Sequence, residues 1–341
     1  MSKKVNEIIE PSDLFDENGN LIQDGWARKP LIRYNREKVR AKWYRLKEWD
    51  NYVVNHPDYN FGLTIADVGY MGLISFELID YKKKEVNSGG LNRLFTKGTW
   101  NLPLSSEEGD IEYHHDTFDL KIERLPNRRI ITLDYPTFAE KGLKGKITLF
   151  QDPNKDSIVK VNRYKNKKQF YYSDKVVWMP AEGSVYLGDD LYKFTPDICY
   201  GRLDWGRGVW PYKINWYWGA AAGKTPDGHE IWFSQGYSYK NPTLHDKNMV
   251  GYDGKGHKLG PIKFHVPDNP EDIWHFSSED GRFEMDLKPL MYHPSKMNYV
   301  IFNSKSKLVY GLYTGDIILD DGTKVHIENL LGHAEAIRWR W

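Results

Sequence analysis

Short segments in which apolar and polar residues alternate follow one another along most of the chain, separated by closely spaced Gly, Asn, Asp and Pro residues. Alternation with a period of two predicts β-strands that bury one face, and frequent turn residues predict antiparallel connections. No regular exchange of strand and helix patterns accompanies them, which argues against a parallel α/β sheet. The segments cover residues 61–66, 72–80, 111–120, 130–133, 145–150, 169–177, 213–219, 230–238, 282–287, 298–303, 308–319 and 323–328.

The pattern predicts an all-β, mainly antiparallel fold with two packed β-barrel-like halves, because closed barrels leave no exposed sheet edge. Asp253-Gly254 and Asp321-Gly322 are typical of tight hairpin turns within such a fold. A natural division lies near residues 180–190. We therefore expect a wrapping segment at residues 1–33, a first half at 34–182 and a second half at 183–341.

One segment has a helical period instead. Val39, Trp43 and Leu46 recur at spacings of four and three residues, with basic side chains largely on the other faces. This spacing predicts a single accessory helix from Asn35 to about Val54, which would lie across a sheet with its apolar face down.

Charge and cysteine content exclude several classes of partner and cofactor. The chain has 48 basic and 47 acidic side chains, so no field of one sign favours nucleic acid or an anionic membrane surface. Cys199 is the only cysteine, which excludes internal disulfides, and no nucleotide-binding motif is present. His114 and His115 are neighbours that would point to opposite faces of a strand, so we expect no metal site and no cofactor.

The same sequence gives an expectation for location. Residues 1–10 lack the apolar run and the small-residue cleavage site of a secretory signal. No stretch approaches the roughly 20 apolar residues that a membrane-spanning helix needs. We therefore expect a cytoplasmic protein without integral membrane association.

The glycine-rich aromatic segment at residues 201–218 is the first candidate site. Asp204 lies there among large rings, where burial would raise its pKa and let it donate a proton. The alternative is that Asp204 and Arg207 form an ion pair that clamps the turn, while the tryptophans pack as core. Trp216 and Trp218 would share one strand face. The candidate ligand contacts are Trp205, Arg207, Trp210, Tyr212, Trp216 and Trp218.

A second candidate lies near the C-terminus. His333 and Glu335 would project from the same side of a strand, where an imidazole and a carboxyl group can act as an acid–base pair. The alternative is a hydrogen-bonded pair that closes the last strand. The catalytic reading depends on whether that strand lines a cavity.

Six motifs lie in order along nearly the whole chain, at residues 25–30, 66–70, 203–212, 257–260, 320–322 and 332–335. Together they resemble the bacterial domain-of-unknown-function family 2804. The more distant likeness is to a lipocalin-like group that includes carotenoid hydratase, tocopherol cyclase and the fungal pericyclases. That likeness implies calycin-like paired barrels, an apolar small molecule, and hydration, cyclisation or cycloaddition without a cofactor. Where relatives are expected to carry an acidic residue beside an asparagine, this chain has His245-Asp-Lys-Asn248. If that acid has a role, either Asp246 replaces it or the function is weakened.

Three functions remain open from the sequence. The first is an acid–base enzyme that protonates an apolar, isoprenoid-like substrate, using Asp204 with His333 and Glu335 beside aromatic rings that stabilise a cation. The second is a carrier that binds a lipid or metabolite without reaction, in the preformed, aromatic-lined cavity of a barrel. The third is a carbohydrate site in which Asp204 and Glu335 act as a glycosidase pair across an open groove.

Overall fold

The computed structural model describes residues 6–238, 248–298 and 303–340. Nearly all regular structure in these residues is β-strand. The strands of these residues form two large antiparallel sheets and one small parallel pair, β1 (Ser12–Asp13) with β3 (Ile32–Arg33). The predicted all-β, mainly antiparallel fold of two curled barrel-like halves is confirmed. No helix in these three ranges is long or apolar enough to cross a bilayer.

The first sheet has thirteen strands within the described residues and curls around the larger apolar core. Its central order is β7-β6-β5-β4-β15-β13-β11-β10-β9-β8, while β12 and β14 pair with β13, and β2 pairs with β12. The strands are β2 (Gly25–Ala27), β4 (Lys47–His56), β5 (Tyr59–Asp67), β6 (Met71–Asp80), β7 (Glu85–Leu94), β8 (Ile111–His115), β9 (Phe118–Leu125), β10 (Arg128–Tyr135), β11 (Leu143–Phe150), β12 (Ile158–Arg163), β13 (Phe170–Leu187), β14 (Asp190–Phe194) and β15 (Tyr200–Val209).

The second sheet has nine strands within the described residues and its own apolar core. Their order is β19-β18-β17-β16-β24-β23-β22-β21-β20. The strands are β16 (Lys213–Lys224), β17 (Glu230–Ser238), β18 (Met249–Tyr252), β19 (Lys255–Lys258), β20 (Ile262–His265), β21 (Trp274–Ser278), β22 (Phe283–Asn298), β23 (Asn303–Ile318) and β24 (Lys324–Arg340).

The chain passes from the first sheet to the second between Val209 and Lys213. The division expected between residues 182 and 183 falls inside β13, which stays in the first sheet. The predicted turn at Asp253-Gly254 joins β18 to β19, and both of its residues have positive φ angles, as a two-residue hairpin requires. Most of the segment predicted at 298–303 lies outside the described residues.

The predicted accessory helix is wrong. Residues 35–54 contain two short 3-10 helices, Arg36–Lys38 and Trp43–Arg45, followed by strand β4. A further 3-10 helix, Phe138–Glu140, precedes β11. Strand β4 hydrogen-bonds to β5 on one side and β15 on the other, and it is buried on both faces. A strand that is buried on both faces lacks the alternation of apolar and polar residues by which strands are recognised in a sequence. Its pairing with β5 and β15 stabilises the extended conformation in spite of the apparent helical spacing.

Candidate functional site

A cavity of about 360 Å³ lies between the two sheets. The sequence had placed the pocket within a barrel, and the structure corrects this, because the interior of each half is filled by its own core. Strand alternation explains the arrangement. In β5, residues 61, 63 and 65 face the core of the first half, while Gly62, Thr64 and Ala66 face the cavity.

The cavity walls are mainly apolar and aromatic. The first sheet supplies β4, β5, β6, β12, β13 and β15, and the second sheet supplies β16, β17, β23 and β24. A few polar and charged side chains interrupt this lining, which is the usual composition of a small-molecule site. The aromatic residues of the lining are Trp49, Tyr164, Tyr171, Trp210, Trp216, Trp218, Tyr310 and Trp339.

An ion pair between Lys175 and Asp204 forms part of the cavity lining. The Lys175 Nζ atom lies 2.6 Å from Asp204 Oδ1 and 3.8 Å from the centroid of the Trp218 ring. The two residues are direct cross-strand partners on β13 and β15. Burial lowers the pKa of Lys175, while the charge of Asp204 acts in the opposite direction. Asp204 therefore has a cationic partner, and that partner is not Arg207.

Arg202 also lines the cavity, two residues before Asp204 on the same face of β15. Its guanidinium lies 4.8 Å from the Trp218 ring centroid, and its Nη1 atom is 3.3 Å from Asn51 Oδ1. The Arg202 Nε atom is buried and has no hydrogen-bond partner among the described residues. Burial lowers the pKa of Arg202. The cavity wall contains two cations, Lys175 and Arg202. Among the described residues, Lys175 has a carboxylate within ion-pair distance, whereas Arg202 has none.

Glu335 lies across the cavity on β24. Its Oε1 atom accepts a hydrogen bond of 2.8 Å from Trp216 Nε1, and burial raises its pKa, with the Trp216 bond acting in the opposite direction. A buried carboxyl group in this setting favours the protonated form. Glu335 is therefore the carboxyl group of the cavity best suited to donate a proton.

His333 projects from the same face of β24 as Glu335, as the sequence predicted, but it lies behind the cavity wall. Its ring packs edge-to-face against Trp218 with 4.6 Å between centroids. Burial lowers the pKa of His333 well below its usual value, and the charges of Arg202 and Lys175 add to this effect. The His333 Nε2 atom is buried without a hydrogen-bond partner in the described part of the chain.

The remaining predicted contacts divide into two groups. Trp210, Trp216 and Trp218 line the cavity. Trp205 and Arg207 do not, because they project from the opposite face of β15 into the interior of the first half, where both are fully buried. Tyr212 follows the end of β15 and is 47% exposed. This placement corrects the prediction for Trp205, Arg207 and Tyr212.

Arg207 belongs to a buried ionic network inside the first half. Its Nη2 atom is 2.9 Å from Asp50 Oδ1, and its Nε atom is 3.8 Å from Glu48 Oε1. Arg124 binds the other oxygen of Asp50. The guanidinium of Arg207 also stacks 4.2 Å from the Trp205 ring centroid. The predicted ion pair between Asp204 and Arg207 is therefore wrong, and Arg207 connects β15 to β4.

The neighbouring histidines His114 and His115 each contact a residue close by in sequence. His114 Nδ1 is 2.8 Å from Asp119 Oδ1, whereas His115 Nδ1 is 2.8 Å from Thr117 Oγ1. Across residues 6–238, 248–298 and 303–340, no group of three or more His, Cys, Asp or Glu side chains is arranged to hold a metal ion.

In the motif 245–248, residues 245–247 lie outside the described residues. Asn248 is buried and bridges the backbone of Gly236 and Gly260.

The chain matches the family described as Domain of unknown function (DUF2804) over residues 5–341. The chain belongs to this family. Two of the motifs that carry the family resemblance contribute directly to the cavity: residues 203–212 contain Asp204 and Trp210, and residues 332–335 contain Glu335. A comparison with curated protein sequences found no match.

Solved structures with this fold include CghA, which is 10% identical with a TM-score of 0.55, over 96% of this chain and 97% of that chain. CghA with Sch210972 gives a TM-score of 0.52 at 10% identity, over 86% and 88% of the two chains. Kievitone hydratase from Nectria haematococca is 9% identical with a TM-score of 0.46, over 86% and 88%. At such identities the likeness to CghA concerns the fold alone.

Sequence reasoning missed three charged groups of the cavity, Glu77, Lys175 and Arg202, as site residues. Lys175 follows Asp174 inside a strand that is otherwise largely apolar and aromatic, from Tyr171 to Val177. A charged pair embedded in such a strand is a signal that could have been used, because buried charges need partners. The aromatic residues Trp49, Tyr310 and Trp339 come from distant strands, and no local pattern marks them.

Proposed function

We propose that this DUF2804 protein binds a small, largely apolar molecule in the cavity between its two sheets. The observation that carries the proposal is the cavity itself, about 360 Å³ with mainly apolar and aromatic walls and a few charged side chains. A pre-formed site of this size and composition suits a small organic ligand. The neighbour CghA, whose structure has been determined with Sch210972, gives support at the level of the fold.

We further propose that the bound molecule undergoes acid–base chemistry of the hydratase or cyclase type. Glu335 would transfer its carboxyl proton to one carbon of an alkene, which leaves a cation on the other carbon and a carboxylate on Glu335. The face of Trp216 would stabilise that cation, because the ring of Trp218 already faces Lys175 and Arg202. Capture by water or by a second double bond, followed by loss of a proton to Glu335, completes the cycle.

The geometry favours this proposal over a glycosidase. A glycosidase pair needs two carboxyl groups that are available to the glycosidic bond. Here Asp204 forms an ion pair with Lys175, and Glu335 is held by Trp216, in the cavity between the two sheets. A carrier without catalysis uses the same cavity, and the isotope experiment below separates carrier from enzyme.

The first experiment is native mass spectrometry of protein purified from its own cells, followed by organic extraction. We expect a bound apolar molecule that is released by denaturation. A protein that is always empty and whose melting temperature rises only with oligosaccharides would overturn the proposal, because a ligand specific for the native state must raise that temperature.

A cavity-filling variant tests the location. Ser75→Phe places a ring into the cavity from β6, where Ser75 is one of the lining residues. Thr132→Phe is the matched control, because Thr132 is a small hydroxyl residue at an exposed position of β10 in the same sheet. We expect Ser75→Phe to lose the co-purifying molecule and Thr132→Phe to retain it. Equal retention by both variants would place the ligand elsewhere.

An isotope experiment tests catalysis. The extracted molecule is returned to the protein in D₂O, where the exchangeable proton of Glu335 becomes deuterium. The enzyme proposal predicts a carbon-bound deuterium in the product with wild-type protein and none with Glu335→Gln. Binding without deuterium incorporation by the wild type would identify a carrier.

A further inference from the structure

The charges that line the cavity do not balance locally. Asp204 compensates Lys175 at 2.6 Å, while Glu335 accepts a hydrogen bond from Trp216. Glu77, at another part of the lining, has His293 Nε2 at 3.8 Å. Each carboxyl group of the cavity therefore has a partner of its own.

Arg202 is the exception. It is 7% exposed, and its Nη1 atom makes a long contact of 3.3 Å to Asn51 Oδ1, while Nε has no hydrogen-bond partner among the described residues. Asp204 and Glu335 attract the guanidinium, but neither forms an ion pair with it among the described residues. The guanidinium lies over the ring of Trp218, 4.8 Å from the ring centroid, and a ring contact of this kind uses none of the N–H donors as a hydrogen bond to oxygen. A buried guanidinium with unused donors is costly unless an anion satisfies it.

Resting on the proposed function, we propose that the ligand carries an anionic two-oxygen group, a carboxylate or its equivalent, and that Arg202 binds this group while the apolar body fills the aromatic part of the cavity. The planar guanidinium offers parallel donors that match two oxygens, which an ammonium group does not. The substrate class is thus an apolar acid. Its acidic end lies beside Trp218 and its hydrocarbon part extends among the other rings of the lining.

Position explains why Arg202 is the anchor. Lys175 is already occupied by Asp204, so an incoming anion there would face a carboxylate. Tyr310 lines the cavity, and its pKa is raised by burial, so it keeps its proton and adds a neutral hydroxyl to the lining. His333, behind Trp218, stays neutral because its pKa is lowered well below the usual value. Arg202 is therefore the cation in this group whose charge is available to a ligand.

The test compares laurate with lauryl alcohol and methyl laurate, which share one hydrocarbon chain. Binding is measured at alkaline pH by the change in tryptophan fluorescence. We expect wild-type protein to bind laurate about tenfold or more tightly than the two neutral probes, since hydrogen bonds to a charged group are among the stronger ones. This comparison needs no variant, so it stands even if a substitution prevents folding.

The variants then assign the effect. Arg202→Gln should remove the preference for laurate and leave the affinity for lauryl alcohol within about twofold, and Arg202→Lys should keep part of the preference. Arg33→Gln is the control, because Arg33 is exposed and its ion pair with Asp13 lies far from the cavity lining. A preference that survives in Arg202→Gln overturns the assignment to Arg202.

The failure of this inference differs from the failure of the proposed function. Equal binding of the acid and the alcohol by wild-type protein overturns the anionic anchor but leaves an apolar binding protein. Binding of none of the three probes also overturns the anchor, and the native mass spectrum then decides separately whether the cavity holds an apolar molecule.

Discussion

Lys175 and Asp204 face each other directly across β13 and β15, with 2.6 Å between the ammonium nitrogen and a carboxylate oxygen. The pair lies against the ring of Trp218, so both charges are largely removed from water. Each of the two charges stabilises the other. A substitution that removes one of them would leave the other charge in an apolar cavity without that partner. The wall of the proposed binding site therefore depends on a bond between two charged side chains.

Removal of one partner should be far more damaging than removal of both. We expect Lys175→Met to lower the free energy of unfolding by roughly 3–5 kcal/mol, because it leaves the carboxylate of Asp204 buried without its cation. The double variant Lys175→Met with Asp204→Leu should recover most of this loss. Urea unfolding measures both. The control is Lys144→Met, whose exposed pair with Asp134 should contribute less than about 1 kcal/mol.

The pKa of Glu335 predicts a second effect, on the pH dependence of stability. Because the folded-state pKa is raised, this group contributes stability that is fully present below its ordinary value of 4.5 and is lost as pH rises through the folded pKa. Glu335→Gln keeps an oxygen for Trp216 Nε1 and cannot ionise. The variant should therefore gain stability relative to wild type as pH rises above 4.5. A difference that stays constant as pH rises would contradict the raised pKa.

The sequence predicted the fold better than its details. Strands with one buried face, such as β9 and β10, alternate in polarity and are visible in the sequence. Strand β4 lies inside the protein on both faces, and its charged residues Lys47, Glu48 and Asp50 are buried. Those charges resemble the polar side of a helix, and their partners, among them Arg207, are distant in sequence. Local pattern therefore could not reveal β4.

The same limit applies to the site. The sequence identified Asp204 and three of the cavity tryptophans, because an acidic residue among aromatic residues is unusual within one segment, and it identified Glu335 because Glu335 shares a strand face with His333. It also assigned Trp205 and Arg207 to the ligand, although neighbours on a strand alternate between faces and Asp204 faces the cavity. The choice of face depends on where the second sheet packs, which no local pattern specifies.

His333 provides a third prediction, with the opposite sign to that of Glu335. Its folded-state pKa is depressed, so its contribution to stability is present above the ordinary value of 6.5 and is lost as pH falls towards the folded pKa. We expect wild type to lose stability relative to His333→Leu as pH falls from about 7.5 to about 5. His265→Leu, at an exposed position of β20, controls for the general effect of removing a histidine. A His333→Leu difference that does not change with pH would show that His333 does not resist protonation.

Arg207 supplies the last prediction, because its contacts are structural although it lies three residues from Asp204. Arg207→Met should destabilise the protein by roughly 1–3 kcal/mol, since Asp50 and Glu48 lose one of their buried cations while Arg124 and Arg36 remain bound to them. Arg202→Met removes a guanidinium without a carboxylate partner, so it should cost markedly less stability while changing the affinity for laurate. Urea unfolding and laurate titration of the two variants, side by side, measure both effects. If Arg207→Met kept wild-type stability and lost laurate binding instead, the division of β15 into a cavity face and a core face would be incorrect.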